Sequence, residues 1–303
     1  MFFLIYKIVA IYLTNFDLFG DEAQYWLWSK DLDYGYYSKP PLLAWTIAVF
    51  SFFLGSDFFA LKMIPVFLYC PVVLVVFIIT KKLYEDRFFA FIVSITFFLA
   101  PAVSLSSFLI STDILLLFFW SLSLMMVLFI KDSPKIINFT LLGIFLGLAF
   151  MAKYAAIYFI ISLILLCFEK SMRSVFLKNK ISFIYCFFVI LIIIAPNLVW
   201  NYNNGWLTFV HTQDNASLHK VGLNIWGGLE FVISQILMIG PIVVVGYFFT
   251  LSKNFKLDFN TKFLLIFSLP VFLIILIESL LVRANANWAA VGLVSFLILF
   301  VRG

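Results

Sequence analysis

The stretch LLAWTIAVFSFFL, Leu42–Leu54, decides how this chain is arranged. It is apolar except for Thr46 and Ser51. As a helix it rises only about 20 Å at about 1.5 Å per residue, short of a hydrocarbon core roughly 30 Å thick. If it crossed a bilayer, Lys81 and Lys82 would land on the side that holds most of the acids. Laid in the outer interface and begun by Pro40 and Pro41 at its first positions, it leaves the bases together on one face.

The question arises because nearly the whole chain is apolar. Its 303 residues are 65% hydrophobic, 20% aromatic and 12% charged, with a mean hydropathy of +1.13. Soluble domains hold about 45–50% apolar and about 25% charged residues. Apolar runs recur from end to end, and in lipid each must satisfy its own backbone polar groups, which predicts an all-α, polytopic integral membrane bundle. The net charge of +5 falls in short loops and reads as a topology signal, so no nucleic-acid partner is expected. Cys70, Cys167 and Cys186 lie inside apolar runs without metal-ligand spacing and read as small core residues. The first run carries Lys7 and lacks an A-x-A-like cleavage site, so it is expected to be a retained helix.

Lys81, Lys82, Arg87, Lys131, Lys135, Lys170, Arg173, Lys178, Lys180, Lys253, Lys256, Lys262 and Arg302 fall in one set of loops, which the positive-inside rule makes cytoplasmic. Asp17, Asp21, Glu22, Asp31, Asp33, Asp57, Asp113 and Asp214 fall in the other set. About ten spans are predicted, near 1–17, 58–80, 88–110, 113–130, 136–151, 154–169, 181–199, 226–251, 263–282 and 287–301. The expectation is one transmembrane domain over 1–303, with an outer loop at about 17–57 carrying two juxtamembrane helices and no separate soluble domain. Lys135 and Lys170 both belong inside, so two short helices must fit between them, and Lys153 at their junction is expected in an outward-opening cavity below the surface.

The first outer loop reads GDEAQYWLWSKDLDYGYYSKPPLLAW from Gly20 to Trp45. Asp21 fits a helix N-cap with Gln24 three residues on, and Glu22 adds charge to the first turn. A capping carboxylate is also held at a fixed point against the membrane, so the structural role leaves room for chemistry. Asp113 enters a helix in LISTDILLL and puts a second acid at the same depth, as a site between helices requires. Lys153 is costly near membrane depth and needs a partner, an anion or water. Arg283 and Lys39 are further candidate anion ligands, Arg283 because its planar fork bonds phosphate through two donors. Asp31 and Asp33 form a D-x-D, read here as coincidence. His211, Asp214 and His219 lack tight metal-ligand spacing. Trp200, Tyr202 and Trp206 fit an aromatic belt or a sugar-stacking wall, and Glu230 and Glu278 stay unassigned between packing and site roles.

The order GDEAQYWLWSKDLDYGYYSKPPLLAW, STD, GLAFMAKYAA, PNLVWNYNNGWLTFVHTQ and RANANWAA resembles the GT-C superfamily of polyprenyl-phosphate-sugar-dependent glycosyltransferases. It is most similar to families 39 and 83, with their protein mannosyltransferase-like, lipid A aminoarabinose transferase-like and galacturonosyltransferase-like members. The resemblance implies Asp21 as catalytic base with Glu22 beside it and Asp113 as second acid. It places Lys39, Lys153 and Arg283 around the donor phosphate, with Tyr36, Tyr37, Tyr154 and Trp206 as sugar or acceptor wall. It implies a polyprenyl-phosphate sugar donor, a lipid A, polysaccharide or protein acceptor, and inversion at the sugar. The setting would be a bacterial inner membrane with the site facing the periplasm, and the partners would include membrane lipids. No cofactor is required, and a divalent cation is optional. Many such proteins are longer, which leaves truncation at the C-terminus open. The alternatives are a transporter or flippase, disfavoured by charges gathered at one face, and an inactive scaffold.

Overall fold

A computed structural model describes residues 2–13, 17–216, 222–241, 243–245 and 257–302. Among them every regular element is helical. The chain opens with α1 (Phe2–Leu13), α2 (Gly20–Trp28), α3 (Leu42–Leu54), α4 (Phe58–Tyr84), α5 (Arg87–Leu99), α6 (Pro101–Ser106), α7 (Thr112–Asp132) and α8 (Ile136–Ala152). A 3-10 turn (Tyr154–Ala156) then leads into α9 (Ile157–Leu166), α10 (Lys170–Lys178), α11 (Lys180–Asn203), α12 (Leu207–Asn215) and α13 (Ile225–Ile239). The last elements are α14 (Phe259–Ile266), α15 (Leu269–Leu281), a 3-10 turn (Ala286–Ala289) and α16 (Gly292–Arg302).

Leu42–Leu54 is a helix that packs on α2 and α4, too short by itself to cross a bilayer. Among the described residues four helical stretches are long and apolar enough to cross: Phe58–Tyr84, Thr112–Asp132, Lys180–Asn203 and Phe259–Leu281. A fifth arises if Tyr154–Leu166 is joined to Lys170–Lys178 through a 99° bend. The other expected spans correspond to shorter or broken helices, so length alone does not return ten. The expected span 88–110 is interrupted where Ala100 leaves the helix at ψ 132° and Pro101, which has no N–H to donate, begins α6. The span 226–251 ends as a described helix at Ile239, where Gly240 takes φ 104°. The basic segment after α9, read as a plain loop, is helix α10, capped by Glu169 on Ser171 N and Met172 N.

Local chemistry sets these boundaries. Asp57, Asp86 and Asp258 each accept a first-turn N–H at the start of α4, α5 and α14, satisfying donors that have no helical partner. The core is aromatic and aliphatic, with Trp120, Phe159, Phe263 and Phe267 fully enclosed. Ile184, Phe187, Phe188 and Ile192 stay exposed on α11, an apolar outer face suited to lipid.

Two glycines bring α8 against α11. A Cβ on Gly143 would sit 2.8 Å from the Cys186 carbonyl oxygen, and one on Gly147 would sit 2.8 Å from Ile193 Cβ. Small residues four apart let membrane helices approach closely. This contact delivers the end of α8, with Lys153 and Tyr154, to the polar end of α11.

Candidate active site

A cavity of about 840 Å³ is lined by Asp21, Tyr37, Lys39, Asp113, Lys153, His211 and Asn287 among others. It lies at the end of the bundle where α4 and α7 begin. Lys82 and Asp132 pair at the other ends of these two helices, where the basic loops gather.

Asp21 occupies the first turn of α2, exposed and without a hydrogen-bond partner among the described residues. It is not the N-cap expected from the sequence. The helix starts at Gly20, Phe19 is the cap residue, and Glu22 reaches back to accept Phe19 N at 2.9 Å. Asp21 is thereby left free to face the cavity. Glu22 faces the protein instead: it is 2% exposed and bonded to the ammonium of Lys62 at 2.6 and 2.7 Å and to Ile110 N at 2.8 Å. Although it borders the cavity, every bond it makes is to protein.

Asp113 sits in the first turn of α7, as read, and both its oxygens are engaged. Lys153 Nζ donates to one at 2.6 Å and Asn287 Nδ2 to the other at 2.8 Å. Lys153 lies in extended backbone between α8 and the following 3-10 turn, which turns its ammonium into the cavity. The Lys39 ammonium reaches the same cavity without a hydrogen-bond partner among the described residues. Burial, aided by the charge of Lys153, holds its ammonium below the usual lysine range, while Asp113 and Asp21 pull the other way. Burial, then Lys39, lowers His211 as well, whose ring lies 4.7 Å from Tyr37.

A side pocket of about 240 Å³ continues past Lys39 and Lys153 to Tyr154, Tyr158 and Glu278. Tyr154 donates to Asn197 Oδ1 at 2.7 Å, and Asn201 Nδ2 donates to the Tyr154 hydroxyl at 3.0 Å.

Three expected site residues are elsewhere. Arg283 lines a separate pocket of about 310 Å³ with Asn224 and Glu230, because it lies on the far side of Asn285 from Asn287. The structure does not bring it together with Lys39 and Lys153. Tyr36 is buried, stacked on Trp28 at 4.7 Å, and its hydroxyl donates to a loop carbonyl, with Trp28 O and Asp31 O each 3.0 Å away. Trp206 adopts left-handed backbone with φ 59° and packs on Phe209, lining none of the three pockets. Tyr37 lines the main cavity and Tyr154 the side pocket.

Asp33 of the D-x-D accepts from Trp200 Nε1 at 2.6 Å and from Tyr34 N at 2.7 Å, pinning the loop to α11. Among the described residues no group of three His, Cys, Asp or Glu could hold a metal ion; His219 lies outside the described residues. The sequence did not single out Lys62 or Asn287; the signal for Asn287 is the polar Asn-Ala-Asn run inside an apolar segment.

Residues 38–200 match the family model for dolichyl-phosphate-mannose-protein mannosyltransferases. The chain belongs to this family. It is 31% identical over 307 residues to lipid A galacturonosyltransferase RgtD of Rhizobium johnstonii, covering 99% of this chain and 63% of that protein. Its fold matches ArnT of Cupriavidus metallidurans in the apo state with a TM-score of 0.76 at 14% identity, over 99% of this chain and 58% of ArnT. ArnT bound to undecaprenyl phosphate gives 0.75, also at 14% identity, over 99% and 59%. The chain thus spans about three fifths of the length of these relatives. The GT-C resemblance read from the motifs is borne out, and so is the all-α membrane fold.

Proposed function

We propose that this chain carries the catalytic cavity of a glycosyltransferase that moves a sugar from a polyprenyl-phosphate carrier to a hydroxyl group. The observation that carries this reading is the meeting of unlike groups in one cavity: the Asp21 carboxylate and the Lys39 ammonium, each without a side-chain partner among the described residues, and the Lys153–Asp113 pair. Asp21 takes the proton of the acceptor hydroxyl as its oxygen attacks the sugar C1, and general bases of this kind contribute typically about 10²–10⁴-fold. The bond from C1 to the phosphate oxygen breaks on the opposite side, which inverts the centre. The electron pair leaves with the lipid phosphate, whose charge Lys39 and Lys153 stabilise. An arriving phosphate competes with Asp113 for Lys153, so donor binding loosens that pair while Asn287 still holds the Asp113 carboxylate.

Two relatives support the donor and acceptor classes: ArnT binds undecaprenyl phosphate, and RgtD is a lipid A galacturonosyltransferase. A lipid A-type acceptor is therefore preferred to a polysaccharide or protein. The bases gathered at the far end of the bundle support a bacterial inner membrane with the cavity facing the periplasm. No cofactor enters this reading, and a divalent ion stays optional because two ammonium groups can hold a leaving phosphate monoester. The test uses membranes supplied with a labelled polyprenyl-phosphate sugar and lipid A. Asp21→Asn is expected to abolish transfer and Lys153→Ala to weaken donor use. Wild-type transfer by Asp21→Asn would remove Asp21 as the base, and no consumption of the carrier would remove the enzyme reading.

A further inference from the structure

We propose that Glu22 and Lys62 are not substrate ligands but a buried positioning pair that sets the spacing of the two cavity carboxylates, Asp21 and Asp113. Glu22 is 2% exposed and Lys62 is 6% exposed. One Glu22 oxygen accepts from Lys62 Nζ at 2.7 Å and from Ile110 N at 2.8 Å; the other accepts from Lys62 Nζ at 2.6 Å and from Phe19 N at 2.9 Å. The third proton of the ammonium goes to the Phe108 carbonyl at 3.2 Å. Every donor and acceptor of the pair is thereby used within the protein, and nothing is left over for a sugar or phosphate.

The bonds join three segments remote in sequence. Phe19 starts the helix whose first turn carries Asp21. Lys62 lies on α4. Phe108 and Ile110 belong to the stretch that enters α7, and Asp113 follows Ile110 by three residues. Lys7 braces the same region: it donates to the Ser104 carbonyl in α6 at 2.5 Å, and its ammonium lies 3.7 Å from the centre of the Phe108 ring. A carboxylate accepting from both backbone segments at once fixes the start of α2 relative to the start of α7. A neutral or shorter side chain cannot close all these bonds, and the low dielectric around the pair makes an orphaned partner costly. The pair thus acts on the reaction through the placement of Asp21 and Asp113.

The kinetic part of the test rests on the proposed sugar transfer; the distance part does not. In the full chain in lipid nanodiscs, with Cys70, Cys167 and Cys186 replaced by alanine, spin labels are attached through Gln24→Cys and Ser111→Cys. The Lys62 protein should give one narrow distance distribution, and Lys62→Met a broadened or displaced one. Per folded molecule, Lys62→Met should lose about 10²-fold in kcat, the scale expected for a misplacement of about 1 Å, with donor KM unchanged. Lys62→Arg, which keeps the charge and its hydrogen bonds, should recover most of both. If Lys62→Met does not fold, Glu22→Gln and Lys62→Arg carry the comparison. Folded Lys62→Met or Glu22→Gln with native spacing and native kcat would overturn the proposal, as would activity lost only in proportion to unfolded protein. If the parent shows no transfer, the distance measurement still decides whether the pair sets the spacing.

Discussion

Gly147→Val tests whether the α8–α11 contact holds the cavity together. A Cβ at Gly147 would lie 2.8 Å from Ile193 Cβ and 2.9 Å from each of Ile193 Cδ1 and Cγ2. Carbon atoms rest at about 3.5–4.0 Å, so the helices must part by about 1 Å before the two further methyl groups of valine are counted. Overpacking of this size costs about 1–3 kcal/mol. The displacement also reaches the cavity, because Lys153 and Tyr154 follow directly on α8 while Asn197 and Asn201, bonded to Tyr154, ride on α11. If Lys153 shifts by a similar distance relative to Asp113, transfer should fall by up to about 10²-fold. The measurement is thermal unfolding in detergent together with transfer per folded molecule. Gly222→Ala serves as control, since among the described residues a Cβ there meets nothing within 4 Å. A Gly147→Val protein that melts and turns over like the parent would show that these helices are not packed at their limit of approach.

Two further outcomes follow from the same geometry. Because Lys39 is held below the ordinary lysine range, it loses its proton at lower pH than a free lysine; donor KM should rise as pH climbs through that lowered value, and Lys39→Met should remove this alkaline limb while raising KM at neutral pH. Gly35→Ala would put a Cβ 2.3 Å from Trp200 Cε3, displacing the indole from Asp33, so the protein should lose about 1–3 kcal/mol of stability in a denaturant titration; an unchanged midpoint would contradict the pinning of the loop between α2 and α3 to α11.

The class of the protein could be read without coordinates because composition is a property of the residues one at a time. The short helix Leu42–Leu54 was legible for the same reason: its length is a local count. That Asp113 and Lys153 lie at helix ends near one another was legible as well, but the ion pair they form was not read from the sequence. That the polar stretch Gly20–Trp45 borders the cavity was legible too, as a polar loop between apolar runs, though only some of its side chains, Asp21, Tyr37 and Lys39 among them, line it.

What escaped the sequence is which side chain of a polar group turns inward. Asp21 and Glu22 are adjacent and chemically alike, yet the helix begins at Gly20, so one faces the cavity and the other meets Lys62, 40 residues away in the chain. Arg283 and Asn287 share one short segment, but its turn past Asn285 sends the arginine to another pocket and the asparagine to Asp113. Tyr36 and Tyr37 part in the same way, one to the stack on Trp28 and one to His211. By itself the sequence determined that this is a membrane bundle with its acids and a few bases at one end. The tertiary structure alone decided which of them face the cavity and which brace it, because each partner comes from a different helix and the angle between helices is set by packing that no local pattern records.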